Sequence, residues 1–313
     1  MNNLALLFPG QGVQKSGMGK DIYENSLKAR NVFETANKVL GFDVIKMCFE
    51  GSEEDLKKTI YSQPCIVTVE LALFEALKES MPIDFKAVAG HSLGEYTALY
   101  ASGAIDLETV LSLIGKRAEL MEEAAKSTRG AMAAILGLDD EAVINLAKQM
   151  KDIFVANFNT KGQVVITGSK EEIEANLDKF KEAGAKKVVP LAVSGAFHSP
   201  FMHSAGEKFV DFVNKFEIND TNIPVYLNVT GTKETLGLKF KEELPKQIYS
   251  SVMWTKTIEN MIQEKIDGFI EIGPGKVLSG LNKKINSEIV TLNVSDWETL
   301  KSTVEELREK ELV

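Results

Sequence analysis

The stretch Gly90-His91-Ser92-Leu93-Gly94 carries the most chemistry in this sequence. A lone serine stands between two glycines, after the apolar run "KAVA" and before "EYTALYASG". That is the pattern G-x-S-x-G at a strand-to-helix junction, where a sharp turn pushes the serine hydroxyl to its tip. The glycines suit close backbone approach. Backbone N–H groups and the positive end of the helix dipole gather at the same point. The N–H of Leu93 is then placed to receive an oxyanion, and Ser92 to act as a nucleophile.

Such a serine needs a base. There are three histidines, His91, His198 and His203. His91 adjoins the serine in the turn and reads as a structural hydrogen-bonding group whose side chain points away. His203 falls where a helix is under way and reads as a partly exposed helix residue. His198, in "SGAFHSP", lies on a loop entering a helix with Ser199 or Pro200 near its start, and it is the best candidate for the base. No acidic residue before it stands out as a third member.

The elements that must position these residues follow from periodicity. "LALLFPG" reads as a buried strand entering a Gly-rich turn. Residues 21–39 carry an apolar set at helical spacing: Ile22, Leu27, Ala29, Val32, Phe33 and Ala36. A helix over 65–79 is introduced by Pro64. "KAVAGHS" is a strand and "LGEYTALYASG" a helix ending at Gly103. Asp106 caps a helix running to about Ala125. Near the end, "GFIEIGPG", "KVLSGLNKKI" and "EIVTLNV" give strand, helix and strand, with a last helix over 296–310. Strands interleaved with helices predict an α/β fold with a mostly parallel sheet. Between them, "GAMAAILGL", a helix capped by Asp139, "IFVANFN", "QVVITGS", a helix closed by Gly184 and "AKKVVPLAV" run β-α-β-β-α-β, the ferredoxin-like order. This predicts a small domain at 128–195 inserted into a discontinuous large domain, 1–127 and 196–313.

Composition bounds the rest. The 313 residues are 44% hydrophobic, and Asp plus Glu (45) outnumber Lys plus Arg (36), for a net charge of -9. That disfavours general nucleic-acid binding. Two cysteines, Cys48 and Cys65, give neither a disulfide framework nor a zinc spacing and suggest a reducing compartment. "MNNLALLFPG" lacks a basic leader and no apolar run approaches membrane-spanning length, so a cytoplasmic protein is expected, with no membrane contact.

Taken together, "FPGQGVQ" (8–14), "SQP" (62–64), "GHSLGEY" (90–96), "KRAELM" (116–121), "NFNTKGQVVITG" (157–168), "GAFHSP" (195–200), "QIYSSVMWTKTIE" (247–259) and "EIGPGKVLSGL" (271–281) resemble the malonyl-CoA:acyl-carrier-protein transacylases of type II fatty-acid synthesis over nearly the whole length. The resemblance implies a hydrolase-like α/β domain with a ferredoxin-like insertion. It implies Ser92 as nucleophile and His198 as base, steadied by the main-chain carbonyl of Gln247 rather than by a carboxylate. It implies Arg117 as the clamp on the substrate carboxylate, the backbone N–H groups of Gln11 and Leu93 as the oxyanion hole, and Gln63 as a pocket-lining residue. Asn159 would lie near the thioester, and Phe197 would be the bulky residue of malonyl-selective members. Malonyl-CoA and a phosphopantetheinylated acyl carrier protein would be the partners, with ping-pong transfer through malonyl-serine and no cofactor or metal. Met253 departs from the polar residue of many relatives.

Without the resemblance, Arg117 reads as a solvated helix charge and Gln247 as a surface helix residue. "FPGQG" lacks the ending of a phosphate loop. A thioesterase or esterase with the same elbow and a non-catalytic carrier-binding subunit stay as alternatives, against which stand the absent acid partner and the intact serine and histidine. An acidic carrier would have to dock on a local basic patch, for which Lys186, Lys187, Lys276, Lys283 and Lys284 are the candidates.

Overall fold

The computed structural model describes residues 3–193 and 195–309. Strand β1 (Leu4–Phe8) is buried along its whole length, as a strand covered on both faces must be. Helices α1 (Lys20–Asn25), α2 (Leu27–Leu40), α3 (Val44–Glu50), α4 (Glu53–Lys57) and α5 (Thr59–Ser80) lead to β2 (Phe85–Gly90). Helices α6 (Gly94–Ser102) and α7 (Leu107–Thr128) follow. Then come β3 (Gly130–Leu136), α8 (Asp140–Gln149), β4 (Ile153–Thr160), β5 (Gln163–Ser169), α9 (Lys170–Glu182) and β6 (Lys187–Pro190). The chain continues through α10 (His203–Val213), β7 (Val225–Tyr226), β8 (Lys233–Glu234), α11 (Gly237–Gln247) and α12 (Trp254–Gln263). It closes with β9 (Gly268–Ile272), α13 (Val277–Ile285), β10 (Val290–Val294) and α14 (Trp297–Glu309). The expected end of that last helix, residue 310, lies outside the described residues.

The main sheet has the order β10-β9-β1-β2-β7-β8 and is mixed but mostly parallel, only the short β7–β8 pair being antiparallel. Strand alternation divides its core. Leu4, Leu6 and Phe8 face the helices α2, α5, α6, α7 and α10, while Ala5 and Leu7 face α12 and α13. A second sheet, order β4-β5-β3-β6, is antiparallel throughout. Ala133, Ile135, Val164 and Ile166 on one face pack with α8 and α9, and Met132 and Val165 on the other turn toward the main core. The second sheet is pinned across the junction. Phe158 N donates to Val252 O (2.9 Å), Val252 N to Ala156 O (2.8 Å) and Ser251 Oγ to Val155 O (2.6 Å). Asp106 and Asp139 cap α7 and α8 as expected.

Three local expectations are corrected. The single helix over 21–39 is broken at Ser26, whose extended backbone lets its hydroxyl cap α2 through Ala29 N (3.1 Å) while donating to Glu79 Oε2 (2.6 Å). Leu27, assigned to the apolar face, is 72% exposed as a result. Pro64 does not open a helix but sits inside α5, which begins at Thr59; the helix gives up one backbone bond there and gains Thr68 Oγ1 donating to Pro64 O (2.8 Å). With those added residues α5 becomes long and apolar enough to span a membrane, contrary to the sequence reading, yet most of it is buried under the main sheet as a core helix.

Candidate active site

Parallel pairing of β1 and β2 sets Phe8 against Gly90, so the turns after the two strands lie side by side. His91 N donates to Phe8 O (2.8 Å). A Cβ on Gly90 would come within 1.9 Å of Gly94 C, and one on Gly94 within 2.2 Å of Phe8 O, so both glycines are required by backbone packing. Between them Ser92 adopts φ 53°, a left-handed conformation costly for a residue with a side chain. Two side-chain amides hold it there. Asn228 Oδ1 accepts from Ser92 N (2.7 Å) while its Nδ2 donates to Gly90 O (2.6 Å), and Gln247 Nε2 donates to Ser92 O (2.7 Å). Asn228 is in turn fixed by its own N–H, which donates to Glu95 Oε2 (2.6 Å). Burial raises the Glu95 carboxyl to about 8, so it is protonated at neutral pH.

Ser92 Oγ lies 2.8 Å from His198 Nε2. The other ring nitrogen, Nδ1, is 3.0 Å from both Gln247 O and Ser250 O. Two carbonyls can only accept, so the proton sits on Nδ1 and Nε2 is left as the acceptor facing the hydroxyl. Burial, and after it the nearby Arg117 charge, lower the His198 imidazole to about 3. It is therefore neutral at working pH. His198 also has a left-handed backbone, φ 56°. His91 points elsewhere, as expected: its Nε2 lies 2.9 Å from Asn159 Oδ1 and its ring packs on Trp254. His203 opens α10 at the surface, its ring against Tyr249.

Arg117 is no solvated helix charge. It is 1% exposed, with its guanidinium 5.4 Å from the Tyr96 ring centroid. Nη1 donates to Gln63 Oε1 (2.5 Å), and Nη2 donates to Gln247 Oε1 (2.9 Å) and Ser92 Oγ (3.1 Å). Nε is buried without a partner, and no carboxylate forms an ion pair with this guanidinium among the described residues. A buried cation held only by neutral groups is a site for an incoming anion. Gln247, likewise no surface residue, is fully buried at the end of α11.

These groups border a cavity of about 90 Å³. Ser92, His198, Arg117, His91, Gln11 and Asn157 form its polar wall, and Met121, Met132, Leu191, Val193 and Phe197 its apolar wall. The space equals roughly three waters at ~30 Å³ each, room for a short acyl group. Two expected pocket residues stand elsewhere. Gln63 is fully buried behind Arg117, bracing it instead of lining the wall. Asn159 is spent on His91, and Asn157, two residues earlier on β4, lines the cavity in its place. The Gln11 side chain ties back to Thr59 Oγ1 (3.2 Å) and Ser62 Oγ (2.9 Å), while its N–H and that of Leu93 have no partner among the described residues. A groove of about 590 Å³ shares Gln11, Leu191 and Val193 with the cavity and so adjoins it.

Sequence reading missed Asn228, the Gln247 side chain, Asn157 and Ser250. Asn228, two residues beyond the short β7, carried a weak signal as a polar residue ending an apolar strand; the Ser250 carbonyl carried none.

On an α/β sheet the site thus brings together a serine hydroxyl, a neutral imidazole, two backbone N–H groups without partners among the described residues and a buried guanidinium. The family described as acyl transferase domain matches residues 5–301. The malonyl CoA-acyl carrier protein transacylase of Bacillus subtilis (strain 168) is 42% identical over 99% of both chains. Among solved structures, the malonyl CoA-acyl carrier protein transacylase of Clostridium perfringens superposes with a TM-score of 0.93 at 38% identity, covering 99% of this chain and 98% of that one. A malonyl-transacylase in complex with a type II PKS acyl-carrier protein gives a TM-score of 0.94 at 36% identity, covering 97% and 99%. The chain belongs to the malonyl CoA-acyl carrier protein transacylase family of acyltransferases.

Proposed function

We propose that this enzyme moves a malonyl group from malonyl-CoA to the phosphopantetheine thiol of acyl carrier protein through a malonyl-Ser92 intermediate. The observation that carries the reading is the single cavity in which Ser92 Oγ meets both His198 Nε2 (2.8 Å) and an unpaired buried guanidinium, Arg117 Nη2 (3.1 Å). His198 takes the Ser92 proton as Oγ attacks the thioester carbonyl, and the imidazolium then protonates the departing CoA sulfur. The N–H groups of Leu93 and Gln11 hold the oxyanion. Arg117 grips the free carboxylate with its planar fork, which favours malonyl over acetyl, and Phe197 crowds the α-carbon against a methyl branch. The carrier thiol reverses the steps. The 590 Å³ groove beside the cavity is the path assigned to the pantetheine arm of both substrates.

We also read residues 128–195 as an inserted ferredoxin-like subdomain between the two parts of the large domain, 1–127 and 196–313. The β-α-β-β-α-β order and the sheet order β4-β5-β3-β6 support it. The free buried thiols of Cys48 and Cys65 fit a reducing, cytoplasmic setting.

Intact-mass analysis after mixing with malonyl-CoA tests the reading. The parent gains one malonyl group, and Ser92→Ala gains none while keeping its fold. An adduct on the Ser92→Ala variant places the nucleophile elsewhere.

A further inference from the structure

One residue touches all three parts of the site. The main-chain carbonyl of Gln247 accepts from His198 Nδ1 (3.0 Å), its Oε1 accepts from Arg117 Nη2 (2.9 Å), and its Nε2 donates to Ser92 O (2.7 Å). The amide can sit only one way round. Arg117 has donors alone, and Ser92 O accepts alone, so the flipped amide would oppose donor to donor and acceptor to acceptor. Ser92 O belongs to the peptide that also carries the Leu93 N–H. In a trans peptide the two point in opposite directions, so fixing the carbonyl aims the N–H. The remaining hold on that carbonyl is a longer turn bond from Glu95 N (3.2 Å).

Resting on the malonyl-transfer reading, we propose that the Gln247 side chain is a positioning residue that ties the Arg117 clamp to the Ser92–Leu93 peptide and so aims the oxyanion donor. The amide spans the gap between the group that would recognise the acyl carboxylate and the N–H that would receive the carbonyl oxygen. It is itself anchored by Arg117, so loss of the clamp loosens the peptide as well. The carbonyl that steadies His198 is main chain and survives any substitution at this position, which makes the two duties of Gln247 separable.

The test uses Gln247→Met, which keeps the volume and removes both side-chain bonds, and Gln247→Glu, which keeps an acceptor for Arg117 but cannot donate to Ser92 O. Each is assayed for Ser92 labelling by a fluorophosphonate, which needs the nucleophile and the oxyanion site but no clamp, and for acylation by malonyl-CoA. Both variants should label and acylate more slowly, by roughly tenfold or more for a misaimed donor. Gln247→Glu should also raise the KM for malonyl-CoA, because its carboxylate occupies the clamp. In an Arg117→Ala background Gln247→Met should cost less in labelling than in the parent, since the anchor is already lost. The pH profile of labelling should be unchanged, because the His198 carbonyl partner remains. Labelling at the parental rate, equal losses in both backgrounds, or a shifted pH profile would each overturn the proposal. Should Gln247→Met not fold, Gln247→Glu carries the same labelling test. A parent that labels but never acquires malonyl contradicts the malonyl reading alone, and the labelling comparison still decides the role of Gln247.

Discussion

His198 is held neutral and in one tautomer without a carboxylate. Two backbone carbonyls fix its tautomer, and burial with the Arg117 charge disfavours the imidazolium. A protonated His198 cannot accept from Ser92, so activity would be lost as pH falls through its pKa. With that pKa lowered to about 3, the acid limb lies far below the usual histidine range. The rate of malonyl-Ser92 formation should therefore change less than about twofold between pH 7.5 and 5, measured by rapid quench. An unshifted histidine near 6.5 would lose about thirtyfold over the same interval, and such a loss would contradict this account. At this scale the turn that carries Ser92 was legible in the sequence, since a glycine-flanked serine is a local pattern; the approach of His198 to it is not local and was reached by elimination among three histidines. Arg117 and Gln247 were different. Burial comes from what packs on a helix, so a charge beside Lys116 and Glu119 reads as solvated until α5 and α11 close over it.

Elements hold the elbow in its strained form. The turn after β2 is stapled on one side by Asn228, beyond β7, and on the other by Gln247, at the end of α11. Asn228→Ala would strand Ser92 N and Gly90 O at once, at about 1–3 kcal/mol for each buried group left unpaired. We expect a stability loss on the order of 2–6 kcal/mol by denaturant unfolding, with slower acylation; an unchanged midpoint would show the elbow holding itself. Element types were legible because the strands are short apolar runs and the helices amphipathic. The misreadings have one cause. Ser26 and Pro64 act through their positions relative to neighbours in space: Ser26 finds Glu79, and Pro64 is accommodated because α5 begins five residues before it. Periodicity alone does not see either.

At the scale of the molecule, the net charge of -9 opposes an encounter with an acidic carrier, so docking should depend on local positive charge. On α13, Lys283 and Lys284 form no ion pairs among the described residues; Lys284 Nζ instead reaches Gln163 Oε1 (3.0 Å) on the second sheet. Reversing both charges should raise the KM for carrier protein and leave malonyl-Ser92 formation from malonyl-CoA nearly unchanged. Added salt should erase the difference between parent and variant. A carrier KM indifferent to both would remove these lysines from the docking face. The cavity itself is a joint product. Ser92 stands in the turn after β2, Arg117 on α7 and His198 in the loop before α10, whereas Met132 and Asn157 come from the second sheet and Leu191 and Val193 from the segment that leaves it. Gly130 and Ala196, where the chain enters and leaves that segment, touch so closely that a Cβ on Gly130 would lie 2.0 Å from Ala196 N. One wall of the cavity is therefore hung on a stretch that departs from the chain and returns to it at a single point, while the hydroxyl, imidazole and guanidinium opposite belong to the chain outside that stretch.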